Sequence, residues 1–403
     1  MRPRSLSRAA LPFLAAGILS ACSDRLPSDA APQPVSPRMT VTPTNAFVSI
    51  DAGSLHTCGL TSGGQTWCWG RNAAGQLGDS TAASTLVPVS TYQSGWTSFT
   101  TVSAGGLHTC ALDGSGQAWC WGNNGDGRLG DGTTNLGLAP VQVLQGAIVF
   151  ATVSAGDAHT CGLDASGQAY CWGSNIYGQI GDSTKTFASA PVAVHQPAGV
   201  TFTQIASGAR HTCALTSAGQ AYCWGYNGDG QVGIGAALQS LVPAAVSQPG
   251  GVTFTSVYTE YQHSCGLTSG GQAYCWGLNG NGQLGDNSTT TRKTPVAVSQ
   301  GGVTFVSLAT GAAHTCGLDS SGQDYCWGFN SNGQLGIGST TSTLVPAAVS
   351  QPVGVTFIQV QAGSVHSCGL DTVGQTWCWG RNIWGQVGDG TTTQRTSPVA
   401  VSH

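Results

Sequence analysis

The chain is poor in charge. Lys occurs twice, at Lys185 and Lys293, Glu once, at Glu260, and charged residues are 7% of 403, against about 25% in an average soluble protein. That scarcity excludes long surface helices laced with Glu–Lys pairs. Acidic residues outnumber basic ones, 17 to 13, which argues against the basic face that nucleic acid requires. No apolar run reaches the length of a membrane-spanning helix; the stretch from Ala9 to Leu19 is short and carries Pro12. Apolar residues at 40% nonetheless supply a core, so wholesale disorder is excluded as well.

The N-terminus is built differently from the rest. Arg2, Arg4 and Arg8 precede the apolar stretch, which ends in Leu19-Ser20-Ala21-Cys22. This arrangement resembles a bacterial lipoprotein signal, cleaved before Cys22 so that its thiol can be acylated. Removing those three of the 13 basic residues leaves 10 against 17 acidic, a net charge of −7. Residues 23–45 are polar and carry Pro27, Pro32, Pro34, Pro37 and Pro43, a composition suited to a semi-extended tether. The expected organisation is a signal peptide over 1–21, a lipidated Cys22 with its tether over 22–45, and a folded domain over 46–403. The expected location is the bacterial cell envelope, at the outer membrane or cell surface, held by the lipid alone.

From Phe47 onward the sequence repeats. The phrase His-Thr/Ser-Cys-Gly/Ala-Leu, a short turn, then Gly-Gln-x-Trp/Tyr-Cys-Trp-Gly, starts at His56, His108, His159, His211, His263, His314 and His366. The steps are 51 or 52 residues, and seven units fill the domain. Each unit reads as four short strands separated by Gly, Asn and Ser turns. Four strands repeated seven times predict an all-β, seven-bladed β-propeller. The first and last units are as regular as the middle ones, which favours a closed ring over a capped solenoid.

The phrase His211-Thr212-Cys213-Ala214-Leu215 followed by Gly219-Gln220-Ala221-Tyr222-Cys223-Trp224-Gly225 resembles the RCC1 (regulator of chromosome condensation) repeat family, and the resemblance covers all seven units. It implies the propeller fold but no single function. Eukaryotic relatives act in nucleotide exchange on a small GTPase, in ultraviolet sensing and in scaffolding, and an exported bacterial relative inhibits β-lactamase.

Cys22 aside, the cysteines fall two per unit, ten apart: Cys58 and Cys68, Cys110 and Cys120, Cys161 and Cys171, Cys213 and Cys223, Cys265 and Cys275, Cys316 and Cys326, Cys368 and Cys378. In unit two, Asp113-Gly114-Ser115-Gly116-Gln117 suits a type I turn with a G1 bulge. That turn places Cys110 opposite Cys120, close enough to bridge. Zinc would need a closer cysteine spacing, so seven intrablade disulfides are expected. The same register sets Trp67 opposite Gly59 and Trp69 opposite Thr57, on the other face of the sheet. Both ring rows are expected in blade-to-blade core, with the small residue making room for the facing ring. The seven repeated histidines are expected to be structural, forming a hydrogen-bonded ring, since a catalytic or metal-binding group need not recur in every blade.

Function is sought where the repeats vary. One variable site is the dipeptide before each His, which includes Arg210 and, in unit five, the run Tyr258-Thr259-Glu260-Tyr261-Gln262. The other is the loop after Trp-Gly, with Arg71, Tyr177, Tyr226, Phe329, Arg381 and Trp384. Tyr and Arg are common anchors of binding surfaces. Units one and seven meet if the ring closes, which would cluster Arg71, Arg381 and Trp384. The expected function is a non-enzymatic recognition module for an unidentified protein or glycan, with no catalytic residues, cofactor or metal. A second reading is an envelope lyase or glycosidase, which needs paired carboxylates; Asp229 or Asp286 near Glu260 would favour it. Guanine nucleotide exchange is a third, and the uniform repeat spacing leaves no projecting insertion for it. No small-GTPase partner is therefore expected.

Overall fold

The computed structural model describes residues 46–93, 95, 97–235 and 238–402. Cys22, the expected signal peptide over 1–21 and the tether lie outside them. The described residues form strands, turns and loops without a helix. Seven four-stranded antiparallel sheets each take their strands from consecutive sequence. In blade one these are Phe47–Ala52, His56–Thr61, Thr66–Gly70 and Thr85–Ser90. The first strand of each blade packs against the first strands of its neighbours, including that of blade one against blade seven. The result is a closed seven-bladed propeller with the first strands around a central channel.

Local sequence explains each blade. At the second turn Asp113 Oδ1 accepts from the amides of Ser115 and Gln117, at 2.9 and 3.2 Å. Gly116 follows at φ 79°, a conformation that costs glycine little. Gln117 Nε2 then donates to Ala118 O and Val143 O, tying the fourth strand to the third. The hairpin register is as expected, with Cys110 opposite Cys120 and Trp121 opposite Thr109.

All seven expected disulfides are present. Cys58 bonds Cys68, Cys110 bonds Cys120, Cys161 bonds Cys171 and Cys213 bonds Cys223. Cys265 bonds Cys275, Cys316 bonds Cys326 and Cys368 bonds Cys378. The Cα atoms are 4.1 Å apart in every blade, close to the spacing of a non-hydrogen-bonded cross-strand pair.

Blades pack ring face to disulfide face. Trp69 and Phe47 of blade one lie in one cluster with Cys368, Cys378, Leu370 and Val387 of blade seven. The second aromatic of each motif, Trp69 through Trp379, is fully buried. The first is not. Trp67, Trp119 and Trp377 are half-buried, and the indole N–H of Trp119 and Trp377 donates to the carboxylates of Asp113 and Asp371 at the rim. Trp67, Trp119 and Trp377 nonetheless pack against the clusters that join neighbouring blades, so both expected rows belong to the blade-to-blade core, one fully and one partly buried. The small residue on the second strand also serves a different ring: a Cβ at Gly59 would lie 2.7 Å from Cδ1 of Phe47, on the first strand of the same blade.

No strand is exchanged between the ends of the described chain. The ring is closed by the contacts that join every other pair of blades. Thr57 Oγ1 donates to Gln386 O, and Trp69 Nε1 donates to the same carbonyl, each at 3.0 Å. At this seam the Gln359 side chain adds bonds to both backbone groups of Ile50.

Candidate functional site on the loop face

The two variable sites of each repeat are neighbours in space. Antiparallel strands bring the turn before each His and the loop after each Trp-Gly to the same end of the blade. A backbone hydrogen bond joins them in all seven: Arg71 N to Leu55 O, Asn123 N to Leu107 O, Tyr226 N to Arg210 O, Arg381 N to Val365 O and the three equivalents. The strands and buried loop asparagines, such as Asn72, whose Oδ1 accepts from Leu77 N, hold this face rigid. Seven variable turns and seven variable loops therefore share one face of the ring.

Two clusters form there between blades. Arg210 of blade four lies over two rings, 5.2 Å from the centroid of Tyr177 and 5.9 Å from that of Tyr226. Those rings, from blades three and four, are 5.0 Å apart. Across the closing seam, Arg71 lies 5.3 Å from the Trp384 ring. Each is a cation–π contact on half-buried groups. Exposed Ile176 and Ile383 flank the aromatic residues of the two clusters. Arg381 and Phe329 occupy the equivalent loop position in their blades and are half-buried. Neither makes an aromatic contact among the described residues; of the expected Arg71, Arg381 and Trp384, Arg71 and Trp384 are in cation–π contact.

The run in blade five divides. Tyr258 and Glu260 line the central channel together with Asp51 of blade one, whereas Tyr261 is 38% exposed on the turn. Burial pushes the Glu260 carboxyl well above the usual carboxylate range, reinforced by the negative charges of Asp157 and then Asp51. Asp51 is raised by burial to about 6, although its carboxylate accepts from the amides of Ala104 and Ala52. The acids whose charge acts on Glu260 are thus Asp157 and Asp51. Asp286 is instead held by Arg292 and Asn279.

Three of these residues escape a reading of the repeat phrase. Asp51 stands where other blades carry Ser, Ala, Tyr or Gln. Arg128 replaces the Gln of Gly-Gln-Leu-Gly; its guanidinium donates to Asp157 O and pairs with Asp126. Burial raises Asp157, opposed by the charges of Arg128 and Arg210. The available signal was each residue's departure from its six counterparts.

The seven histidines form the expected ring. His56 Nε2 lies 2.8 Å from Thr109 Oγ1, and the pattern runs through every blade to His366 and Thr57. Each of these hydroxyls donates to a loop carbonyl of the preceding blade, as Thr109 does to Gln76 O. It must therefore accept from the imidazole, so Nε2 carries a proton, and burial, which lowers all seven rings, favours the neutral form. Cys316, Asp324 and Cys326 are the one group of metal-ligating atoms within ligating distance of one another among the described residues. The two cysteines are spent in a disulfide, so they do not fit a metal.

The fold and its loop face define a repeat propeller that presents variable turns on an invariant frame. The chain belongs to the RCC1-like domain family, whose model matches residues 85–403, and an RCC1 repeat model matches 47–76. It is 30% identical over 363 residues to the ultraviolet-B receptor UVR8 of Arabidopsis thaliana, covering 89% of this chain and 82% of that one. Among solved structures, human WBSCR16 superposes with a TM-score of 0.76 at 22% identity, over 84% of this chain and 94% of that chain. Yeast RCC1 (Prp20), in a structure with Kap60 bound, gives 0.75 at 20%, over 94% and 91%. At these identities the structures speak for the fold alone.

Proposed function

We propose that this chain is a non-enzymatic recognition module, lipid-anchored through Cys22 in a bacterial cell envelope, which binds a protein partner through its loop face. The observation that carries the reading is the Arg210–Tyr177–Tyr226 cluster with exposed Ile176 beside it. Arg and Tyr held on a rigid frame, next to an exposed aliphatic side chain, have the composition of a protein-contact hot spot. Arg71, Trp384 and Ile383 repeat that composition at the closing seam. The family supports a protein-interaction role in general, and yeast RCC1 has been solved with Kap60 bound. The lipid anchor rests on the Leu19-Ser20-Ala21-Cys22 pattern.

A hydrolase reading needs one carboxyl to donate a proton while another stays ionised, in separate environments. Asp51 and Glu260 share one channel, and the same burial raises both; this favours the binding reading.

The test is affinity capture from envelope and extracellular extracts with oxidised residues 46–403. The comparison is the double variant Arg210→Ala with Tyr226→Ala and, separately, Trp384→Ala. A protein retained by wild type and lost from either variant supports the reading and assigns the cluster. Retention of glycan alone moves the ligand class, and an equal yield from all three baits overturns the role of these residues. Metabolic labelling with a fatty acid, compared with Cys22→Ser, tests the anchor.

A further inference from the structure

The seven disulfides share one environment. Both sulfurs are fully buried in every blade. Each bridge joins the same two positions, with Cα atoms 4.1 Å apart. Rings of the next blade cover it: Phe357 and Trp379 of blade seven lie in one cluster with Cys316 and Cys326 of blade six. A hydroxyl of the next blade also lies nearby, as Ser367 Oγ does at 3.9 Å from Cys316 Sγ and Thr160 Oγ1 at 3.9 Å from Cys110 Sγ. Any bridge that stands apart can therefore be compared with the others, whose access and cover are the same.

One bridge has a carboxyl beside it. Asp324 begins the third strand of blade six, opposite Leu318 and two residues before Cys326, so its side chain projects from the disulfide face. The other six blades carry Thr or Ala at this position. Asp324 Oδ2 lies 3.6 Å from Cys326 Sγ. Among the described residues, blade six alone brings a carboxylate oxygen within 4.8 Å of both sulfurs of a bridge. The side chain is fully buried, and its Oδ1 has no hydrogen-bond partner. Burial pushes the carboxyl well above the usual carboxylate range, opposed by the Tyr325 amide, so it keeps its proton where an exposed carboxyl has lost it.

This placement favours reduction of one bridge. A disulfide sulfur has no proton to give, so the bridge offers the carboxyl no donor. A thiol does carry one, and the Cys326 thiol reaches Oδ2. We propose that Cys316–Cys326 is the redox-active bridge of this protein, opened by a dithiol reductant while the other six persist, with Asp324 as its proton donor. A thiolate of the dithiol attacks Cys316 Sγ, and the Sγ–Sγ bond breaks. Cys326 leaves with the electron pair, takes the proton of the Asp324 carboxyl and donates a hydrogen bond back to the carboxylate so formed. The second thiol of the reductant then attacks the mixed disulfide, its proton passes to Cys316, and the reductant departs as a disulfide. The dithiol has lost two electrons and the bridge has gained them; the dithiol's other proton went to solvent when its thiolate formed. Attack on a buried sulfur follows local opening of the blade. The inference stands independently of the rim partner and of the lipid anchor.

The test is a time course of reduction by dithiothreitol at pH 7 on the oxidised, folded protein. Samples are quenched in acid, the free thiols alkylated, and each cysteine pair read by peptide mass spectrometry. Cys316 and Cys326 should be labelled at least fivefold faster than any other pair. Asp324→Ala gives blade six the residue that blades two to five already carry, and should return this bridge to the rate of the other six. Asp324→Asn separates proton donation from a general loosening of the blade. It keeps a buried polar group of the same shape but has no acidic proton, so its bridge should also fall to the common rate. Circular dichroism before reductant is added checks that both variants are folded. The wild-type comparison among seven bridges needs no substitution. Reduction of all seven at one rate, another bridge opening first, or an undiminished rate in Asp324→Ala or Asp324→Asn each overturns the proposal.

Discussion

His366 Nε2 and Thr57 Oγ1 lie 2.8 Å apart across 309 residues of sequence, and this bond is the last link of a circle that runs through all seven blades. Both groups are fully buried. Thr57 also donates to Gln386 O, so its hydroxyl is filled on both sides. Thr57→Val removes the acceptor and strands the imidazole N–H, at a cost of about 1–3 kcal/mol. Thr57→Ser should restore most of it, since Ser264 and Ser367 do the same task elsewhere in the ring. Urea midpoints of the three proteins check this. Equal midpoints for Val and Thr would remove the bond from the account of ring closure.

The same histidines set a pH dependence. Burial pushes His366 down to about 3 and His263 to about 4, and lowers the other five likewise. The unfolded chain protonates its imidazoles below about 6.5 while the folded chain does not. Each His therefore contributes stability that is complete above pH 6.5 and is lost as pH falls toward 3, at up to about 1.4 kcal/mol per pH unit. Asp51, Asp157, Glu260 and Asp324 act in the opposite direction, because their raised values favour the folded state as pH falls. Four such acids do not offset seven histidines. Tryptophan fluorescence followed from pH 7 to pH 3 should show one cooperative acid transition. A urea midpoint constant between pH 6 and pH 4 would contradict a neutral buried ring.

Glycine at the seam is required for closeness. A Cβ on Gly363 would collide with Gly53 O and come 2.5 Å from His366 Cε1, whereas one on Gly250 meets nothing within 4 Å. Neither residue has a positive φ, so the comparison isolates packing. Gly363→Ala should cost several kcal/mol and lower Tm by many degrees. Gly250→Ala should be neutral or stabilising by up to about 1 kcal/mol. Differential scanning calorimetry of the pair decides it, and matching Tm values would mean that the blades give way more easily than their contacts indicate.

Repetition is what made the frame legible. The ten-residue Cys spacing and the Asp113-to-Gln117 turn determine a register within one hairpin, and every blade repeats it. The ring of histidines was legible for the same reason. What lay beyond reach were contacts between blades with no repeat to announce them. Arg210 meets Tyr177 only because a loop of blade three leans toward a turn of blade four. Tyr258, Glu260 and Tyr261 read as one run, but the first two line the channel and the third sits on the rim. The assignment of Trp67 to the blade-to-blade core holds, but its partial burial was not legible, because the alternation along one hairpin does not reveal how far the neighbouring blade extends.

Asp324 departs from its repeat inside the core. The other blades carry Thr66, Ala118, Ala169, Ala221, Ala273 and Thr376 at this position. The Asp324 side chain is fully buried, its Oδ1 has no hydrogen-bond partner, and Oδ2 lies 3.6 Å from Cys326 Sγ. Burial raises it well above the usual carboxylate range, with the charge of Asp319 adding to the effect. A raised value means that the folded state holds a proton that the unfolded state has released, so this group's cost grows as pH rises above about 4. Asp324→Ala should therefore stabilise the protein at pH 7, by about 1–3 kcal/mol, and the gain should shrink toward pH 4. Urea midpoints of both proteins at pH 4, 5.5 and 7 measure it. A loss of stability at pH 7 would show that the carboxyl is satisfied in solution by a partner, and would make blade six the place to look for a buried water.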